Sequence, residues 1–254
     1  MPNLLDHLVF RAKLEPNSVA LQGVGRQLTF DQLLDIAKKI GSKLRQTGIR
    51  PGQIVITSIP DKFMDWIVTL ALFHEATITC SNHGYAPIDP AFECDWVITN
   101  REVDHFPAER TIRIDRKWMD EARELSSGID QMDYPSGESP VRLYLTSGTT
   151  GQRKAVAFGL DRLVARVKQG AALGGLPKRI GLLKLSAQVD FAACATCLLN
   201  GAPIYCTRTS KETVDLIRQF SLETLHGSPD QIAGLIEHLV AQGAMSRSLL
   251  NAAG

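Results

Sequence analysis

The sequence predicts an α/β fold with mainly parallel sheets flanked by helices. Apolar residues at helical spacing alternate along the chain with short apolar runs that are typical of strands. Several helical segments open on a capping signal, and turn-forming residues separate them from the strands. Parallel strands need crossover connections of this length, so the alternation favours parallel pairing with helices on both faces.

The first well-marked helix begins after Thr29. Gln32 completes a capping box three residues later, and Gly48 occupies the position of a left-handed C-cap. The residues between them form one apolar face at helical spacing: Leu33, Ala37, Ile40 and Leu44. A turn at residues 51–52 then leads into a short buried strand at 54–56. A second helix is predicted at 61–74, and further strands at 78–80, 96–99 and 111–114.

A boundary between two lobes is predicted within residues 130–140 (DQMDYPSGESP), which are rich in turn formers. The first lobe comprises residues 1–135 and the second comprises residues 136–254. The second lobe opens with strands at 142–146 and 155–158, joined by a polar, glycine-rich loop. We predict helices at 161–173, 189–199 and 212–220 and strands at 180–185, 203–206 and 222–226. Ser228 then caps a last helix, with Pro229 in its first turn and Gln231 completing the capping box.

The composition argues against several classes of protein. The formal net charge is +1 and no long basic run occurs, which disfavours nucleic-acid binding. No apolar segment approaches the roughly 18 residues of a membrane span, and the first ten residues do not form a signal peptide. We therefore expect a cytoplasmic protein without a membrane span.

The cysteines favour packing over metal or redox chemistry. They number five, and an odd count in a chain of this size argues against a disulfide framework. Cys194 and Cys197 form a C-x-x-C pair, but no second pair is present that would complete a zinc site. Their apolar helical surroundings predict two small core residues.

The most informative segment is the loop in residues 144–154 (YLTSGTTGQRK). Its hydroxyl side chains and glycines are adjacent to one another, namely Thr146, Ser147, Gly148, Thr149, Thr150 and Gly151. Glycine lets the backbone approach a ligand closely, and successive N–H groups can then surround an anion. Lys154 adds a positive charge just past the loop. A polyphosphate is the ligand that best matches these groups.

Two other interpretations of the loop are weaker. A flexible Ser/Thr/Gly hairpin explains the glycines but not the hydroxyl groups combined with a lysine. A Walker A loop is excluded by spacing, because only Thr149 and Thr150 separate the glycines and Ala155 follows the lysine.

Residues 146–154 (TSGTTGQRK) resemble the signature loop of the adenylate-forming superfamily, which includes acyl-CoA synthetases, peptide-synthetase adenylation domains and luciferases. Weaker similarities follow in the order of that family. Residues 26–33 and 48–55 resemble its early segment, and residues 199–202 (LNGA) and 225–229 (LHGSP) resemble two of its turns. The resemblance extends from about residue 4 to the end. It implies the two packed lobes of the family's N-terminal domain.

The resemblance implies a mechanism and its cofactors. In this family a carboxylate attacks the α-phosphate of Mg-ATP, which gives an acyl-adenylate and pyrophosphate, and a thiol then accepts the acyl group. ATP and Mg²⁺ are thus implied as cofactors. CoA or phosphopantetheine is implied as the acceptor, the latter on an acyl carrier protein as a partner.

The resemblance also implies roles for individual residues. The segment from Thr146 to Gly151 would hold the β- and γ-phosphates, and Thr150 would reach the metal. Lys154 would be the catalytic residue, because its positive charge would stabilise the phosphates. Residues 186–193 would line the pocket for the carboxylic acid, together with His226, Gly227 and Ser228.

The sequence departs from the family pattern in three places. Ala155 replaces the glycine that usually follows the signature lysine, so we expect a different exit from the loop. Residues 185–189 (LSAQV) lack the usual aromatic or histidine residue, which leaves the chemistry of the acid pocket open. The sequence stops before the family's later motifs, so we expect an N-terminal fragment that cannot complete adenylation alone. Two alternatives remain: a truncated, non-catalytic relative that acts as a binding module, and an unrelated phosphate-binding protein.

Overall fold

The computed structural model describes residues 3–82, 93–102, 106–128, 130–134, 137–146, 154–172 and 178–242, with the backbone alone at residues 146, 154 and 170–172. The helices are α1 (Leu4–Leu14), α2 (Phe30–Thr47), α3 (Lys62–His74), α4 (Arg116–Arg123), α5 (Leu160–Ala172), α6 (Gln188–Asn200), α7 (Ser210–Phe220) and α8 (Pro229–Ala241). The strands are β1 (Val19–Gly23), β2 (Arg26–Thr29), β3 (Ile54–Ser58), β4 (Ile78–Ser81), β5 (Trp96–Thr99), β6 (Thr111–Arg113), β7 (Pro140–Thr146), β8 (Lys154–Gly159), β9 (Arg179–Gly181), β10 (Ile204–Tyr205) and β11 (Thr224–His226).

Two mainly parallel sheets confirm the predicted fold class. Sheet 1 has the strand order β6-β5-β3-β4-β7-β8, and sheet 2 has the order β11-β9-β10-β1-β2. The pairs β7/β8 and β1/β2 are antiparallel and the others are parallel. Each sheet contains strands from both sides of residue 135, because β1 and β2 join sheet 2 while β7 and β8 join sheet 1. The division into lobes at residue 135 stays a prediction.

The main core is a layer of helices between the two sheets. Helices α3 and α5 pack on sheet 1, α2 and α6 pack on sheet 2, and α1 contacts α2, α3 and α6. The core between them includes Leu8, Leu33, Trp66, Leu163 and Phe191. Helix α3 is buried on nearly every side, as its mostly apolar sequence requires. Helix α7 covers the opposite face of sheet 2.

The predicted helix ends are confirmed where their signals are local. Thr29 and Gln32 form the capping box of α2, and Gly48 ends that helix with φ of 119°. Ser228 and Gln231 form the capping box of α8. The sequence analysis missed α1, which begins with a capping box between Asn3 and Asp6. It also missed β1, β2 and α4.

The strand predicted at residues 180–185 is wrong in its second half. Strand β9 ends at Gly181, where its neighbour β11 also ends at His226. Residues beyond Gly181 therefore have no ladder partner, and the chain turns. The amide of Leu182 still donates to the carbonyl of His226 at 2.7 Å, and that of Ala187 donates to Lys184 at 2.9 Å.

The turn-rich stretch near residue 135 is attached to the first half of the chain. The Tyr134 hydroxyl donates to the carbonyl of Thr77 at 2.8 Å, and its ring packs edge-on against Phe73. The amide of Met132 donates to the carbonyl of His74 at 2.7 Å. Across the described ranges, no helix has both the length and the apolar character that crossing a bilayer requires.

The two cysteines of the C-x-x-C pair are buried in α6 as free thiols, which confirms that they are core residues. Burial raises the pKa of Cys194 and of Cys197, which keeps both thiols protonated. Within the described part of the chain, no group of three or more His, Cys, Asp or Glu side chains is arranged to hold a metal ion.

Candidate functional site

The predicted phosphate loop connects the two strands of an antiparallel hairpin. Strand β7 ends at Thr146, strand β8 begins at Lys154, and these two residues are directly paired. Both ends of the loop are therefore held at one point. Ser147, Gly148, Thr149, Thr150 and Gly151 lie outside the described residues, so their predicted contacts stay predictions.

The hairpin extends from the carboxyl edge of sheet 1. Strands β3, β4, β5 and β7 are parallel, so their carboxyl ends lie at the same edge. Leu143 pairs with Cys80, which places Thr146 two positions beyond Ser81, the last residue of β4. Ligands of open α/β sheets bind outside the carboxyl ends of the strands. The hairpin therefore presents its loop on the edge where a ligand is expected.

The substitution of glycine by Ala155 is compatible with this hairpin. Ala155 lies in β8, where it pairs with Leu145 in the regular ladder. An extended backbone is accessible to any residue, so the exit from the loop does not require glycine here.

A buried arginine connects β7 with the segment that precedes α6. The Arg142 guanidinium donates to the Ser81 hydroxyl at 2.9 Å and to the carbonyl of Leu185 at 2.6 Å. It also lies 4.4 Å from the ring centre of Phe191 on α6. Because these bonds are charge-assisted and buried, they fix the position of the turn before α6 relative to the phosphate hairpin.

A buried carboxyl group lies close to this arginine. Asp65 on α3 is 2% exposed, and its Oδ1 atom has no hydrogen-bond partner among the described residues. Burial raises the pKa of Asp65 to about 6, although hydrogen bonds from Thr57 and Ser81 and the charge of Arg142 act in the opposite direction.

The turn at residues 226–228 packs against the segment that follows β9. The Gln231 side chain donates to the carbonyl of Leu182 at 2.9 Å, and Ser228 caps α8 beside it. A Cβ atom on Gly227 would lie 3.3 Å from the Leu182 side chain, so the turn fits closely against that segment. Of the three predicted substrate-binding residues, His226 alone lines the adjacent cavity.

That cavity has a volume of about 80 Å³ and lies between α6 and sheet 2. Asp190, Ala193, Cys194 and Cys197 of α6 line one side of it. Residues of β9, β10 and β11 line the other side, among them Gly181, Tyr205, Thr224 and His226. Asp190 and Ala193, which lie in residues 186–193, therefore share this cavity with His226. Their role in binding a carboxylic acid stays a prediction.

An ion pair forms one wall of the cavity. The Lys62 ammonium donates to Asp190 Oδ2 at 2.7 Å and to the carbonyl of Gly181 at 2.6 Å. Both side chains are almost fully buried, at 4% and 2% exposure. Burial lowers the pKa of Lys62, but the surrounding groups, Asp190 foremost, together raise it by more, so the net shift is upward and the lysine stays charged.

The sequence analysis did not single out Lys62, Asp65 or Arg142, and it included Asp190 only within a longer range. Lys62 and Asp190 are 128 residues apart, so no local spacing pairs them. The sequence does contain one signal for such residues, namely a charged residue inside an otherwise apolar helix. A charged residue that is buried needs a partner, so its position indicates a buried ion pair or hydrogen bond.

The chain is similar to multidomain synthetases and to acyl-CoA synthetases. It is 25% identical over 240 residues to nonribosomal peptide synthetase kk1B of Curvularia clavata, covering 87% of this chain and 2% of that protein. The acyl-CoA synthetase of Brucella canis superposes with a TM-score of 0.78 at 22% identity, covering 93% of this chain and 49% of that one.

The O-succinylbenzoate CoA synthetase of Bacillus subtilis, solved in complex with AMP, superposes with a TM-score of 0.76 at 19% identity. The alignment covers 94% of this chain and 64% of that one, so the chain spans less than two thirds of each of these relatives. The family model described as AMP-binding enzyme matches residues 9–252. The chain belongs to the AMP-binding enzyme family.

Proposed function

We propose that the chain supplies the phosphate loop and the acid pocket for ATP-dependent activation of a carboxylic acid to an acyl-adenylate. Membership of a family of adenylate-forming enzymes supports this reaction class. The observation that carries the proposal is the pairing of Thr146 with Lys154, because it holds the signature loop at the carboxyl edge of sheet 1.

The residues of the chain would act mainly by positioning and by charge. The loop from Ser147 to Gly151 would offer backbone N–H and hydroxyl groups to the phosphates, and Lys154 would neutralise part of their charge. Arg142 would act as a positioning residue, because its bond to the carbonyl of Leu185 ties the acid side of the site to the phosphate strand.

The acceptor is proposed to be a thiol, either CoA or the phosphopantetheine of an acyl carrier protein. The similarity to a nonribosomal peptide synthetase supports the carrier protein, and the similarity to acyl-CoA synthetases supports CoA. Mg²⁺ would accompany ATP, with Thr150 as the proposed protein ligand. The expected location is the cytoplasm.

The test is calorimetric titration of the chain with ATP and with pyrophosphate. Lys154→Ala and Gly148→Ala should each weaken binding about tenfold or more, because one removes a charge and the other adds a Cβ atom where the backbone approaches the phosphates. Lys211→Ala is the matched control, since Lys211 is an exposed lysine on α7 and its removal changes net charge equally.

Binding that persists unchanged in Lys154→Ala, or that falls equally in Lys211→Ala, would contradict the loop as the phosphate site. Absence of ATP binding by the unmodified chain would contradict the proposal that its own loop provides the affinity.

A further inference from the structure

The two ends of the cavity beside α6 differ in their lining. Strand pairing places Gly181 opposite His226, so these residues and the Lys62–Asp190 pair lie at the carboxyl edge of sheet 2. Arg179 pairs with Thr224 at the other end, and Cys197 lies about two helical turns from Asp190 along α6. A ligand that enters from the carboxyl edge therefore meets the polar groups first and the thiols last.

The charges at the carboxyl-edge end of the cavity cancel. Lys62 contributes one positive charge and Asp190 one negative charge, and the two groups are hydrogen-bonded to each other. A second buried ammonium or carboxylate would have no counter-ion there and would lose its hydration. The ion pair therefore selects against a charged group at this end. The Arg179 guanidinium lines the same cavity and donates to the Ala193 carbonyl at 3.3 Å, so its positive charge disfavours an ammonium group further.

One polar atom at this end has no partner. His226 Nε2 is buried and makes no hydrogen bond to any described residue. Buried polar atoms are seldom left unpaired in native structures, so this atom indicates a ligand group. A hydroxyl group is suited to it, because a hydroxyl donates to the unprotonated nitrogen and accepts from the protonated one.

The volume limits the size of the group that enters. A cavity of 150 Å³ holds benzene, so a cavity of 80 Å³ has room for about three non-hydrogen atoms. Cys194 and Cys197 line the inner part as small apolar side chains, since a buried thiol behaves as a small hydrophobe. The Arg179 guanidinium beside them is held by the Ala193 carbonyl. A short alkyl group fits this part and an aromatic ring does not.

We propose that the acid activated at this site is a short hydroxy acid without an ammonium group, with its hydroxyl group on His226 and its alkyl end between α6 and sheet 2. This inference rests on the proposed function, because it takes the cavity to be the acid pocket of an adenylate-forming site.

The experiment follows the ring nitrogens of His226 by NMR in ¹⁵N-histidine-labelled protein, with His226→Leu to assign the signals. The probes are 3-hydroxybutyrate, butyrate, 3-aminobutyrate and benzoate, each titrated with and without ATP. We expect 3-hydroxybutyrate to shift the His226 Nε2 signal and to bind at least tenfold more tightly than the other three. In His226→Leu, its advantage over butyrate should disappear.

Cys197→Met tests the location of the alkyl group. The longer side chain fills an existing cavity, so the variant should remain folded and should bind ATP as the unmodified chain does, yet lose 3-hydroxybutyrate binding. Comparable binding of benzoate or 3-aminobutyrate, no shift of His226 with any acid, or full hydroxy-acid binding by Cys197→Met would each overturn the inference. ATP binding that depends on Lys154 while the acids fail would overturn this inference alone, whereas loss of ATP binding would overturn the proposed function.

Discussion

The Lys62–Asp190 ion pair lies directly against a glycine. A Cβ atom on Gly181 would lie 2.0 Å from Asp190 Oδ1, a distance at which the carboxylate has to move. The absence of a side chain at this position therefore allows two buried charges to meet at the carboxyl end of β9.

We predict that Gly181→Ala destabilises the chain by about 1–3 kcal/mol, the usual cost of overpacking a buried site. Urea unfolding measures the change. The matched control is Gly234→Ala in α8, where no atom lies within 4 Å of the added Cβ, and a gain of about 0.5–1 kcal/mol is expected there. Equal changes in the free energy of unfolding for the two substitutions would mean that the contact with Asp190 does not set the cost of the added Cβ atom.

Asp65 predicts a pH dependence of stability. The pKa of Asp65 is raised from its usual 3.8 to about 6, so the folded chain keeps a proton that the unfolded chain has released. The contribution of Asp65 to the free energy of unfolding is therefore fully present below about pH 4 and is lost as the pH rises through about 6. The limiting slope of the unfolding free energy is about 1.4 kcal/mol per pH unit.

Asp65→Asn removes this proton and should remove that part of the slope. The measurement is the difference in unfolding free energy between the variant and the unmodified chain from pH 4 to pH 7, in which contributions of other groups cancel. A difference that stays constant across this range would show that Asp65 has the same pKa in both states.

At the scale of the element, each capping box forms between residues that are three positions apart in the sequence. Thr29–Gln32 and Ser228–Gln231 have the same geometry, with each cap hydroxyl accepting from the backbone N–H of the glutamine at 3.3 Å. Their surroundings differ, because Gln231 also donates to Leu182 beside the cavity. The same local motif thus serves stability in α2 and, in α8, also holds the segment at Leu182 beside the cavity.

Ser228→Ala and Thr29→Ala should each cost about 1 kcal/mol of stability, the usual contribution of an N-cap. Only Ser228→Ala should also weaken acid binding, because it loosens the turn that holds His226. Thermal unfolding and the NMR titration described above measure the two effects separately. An equal loss of acid binding in Thr29→Ala would assign that loss to general destabilisation.

At the scale of the whole molecule, the two sheets exchange strands across residue 135. Sheet 2 contains β1 and β2 from the first half, and sheet 1 contains β7 and β8 from the second half. Lys62 and Arg142 add buried bonds between the halves, to Asp190 and to Ser81. Neither half therefore contains a complete sheet.

We predict a single cooperative unfolding transition. The three tryptophans, Trp66, Trp96 and Trp118, lie in the first half, so their fluorescence reports mainly on that half, although Trp66 also packs edge-on against Phe191. Far-UV circular dichroism reports on both halves, and the urea midpoints from the two signals should coincide. Separate midpoints would mean that residues 1–135 and 136–254 unfold as independent lobes.

Elements with strong local signals were predictable from the sequence. The face of α2, the caps at Thr29 and Ser228 and the left-handed end at Gly48 depend on neighbours in the chain, and the structure has all of them. Strand length was harder to predict, because β9 ends at Gly181 only where β11 ends too. Helix α4 and strands β1 and β2 were missed because they are short, with eight, five and four residues.

The sequence by itself determined the α/β class and the family. The motif at residues 146–154 is contiguous and the alternation of helices and strands is repeated along the chain, so both can be recognised without any knowledge of distant contacts. Only the tertiary structure decided which sheet each strand joins and which charges meet. Lys62 reaches Asp190 across 128 residues, and His226 comes to line a cavity with Cys194 and Cys197. These contacts depend on how the helix layer packs between the sheets, and such packing leaves no fixed spacing in the sequence.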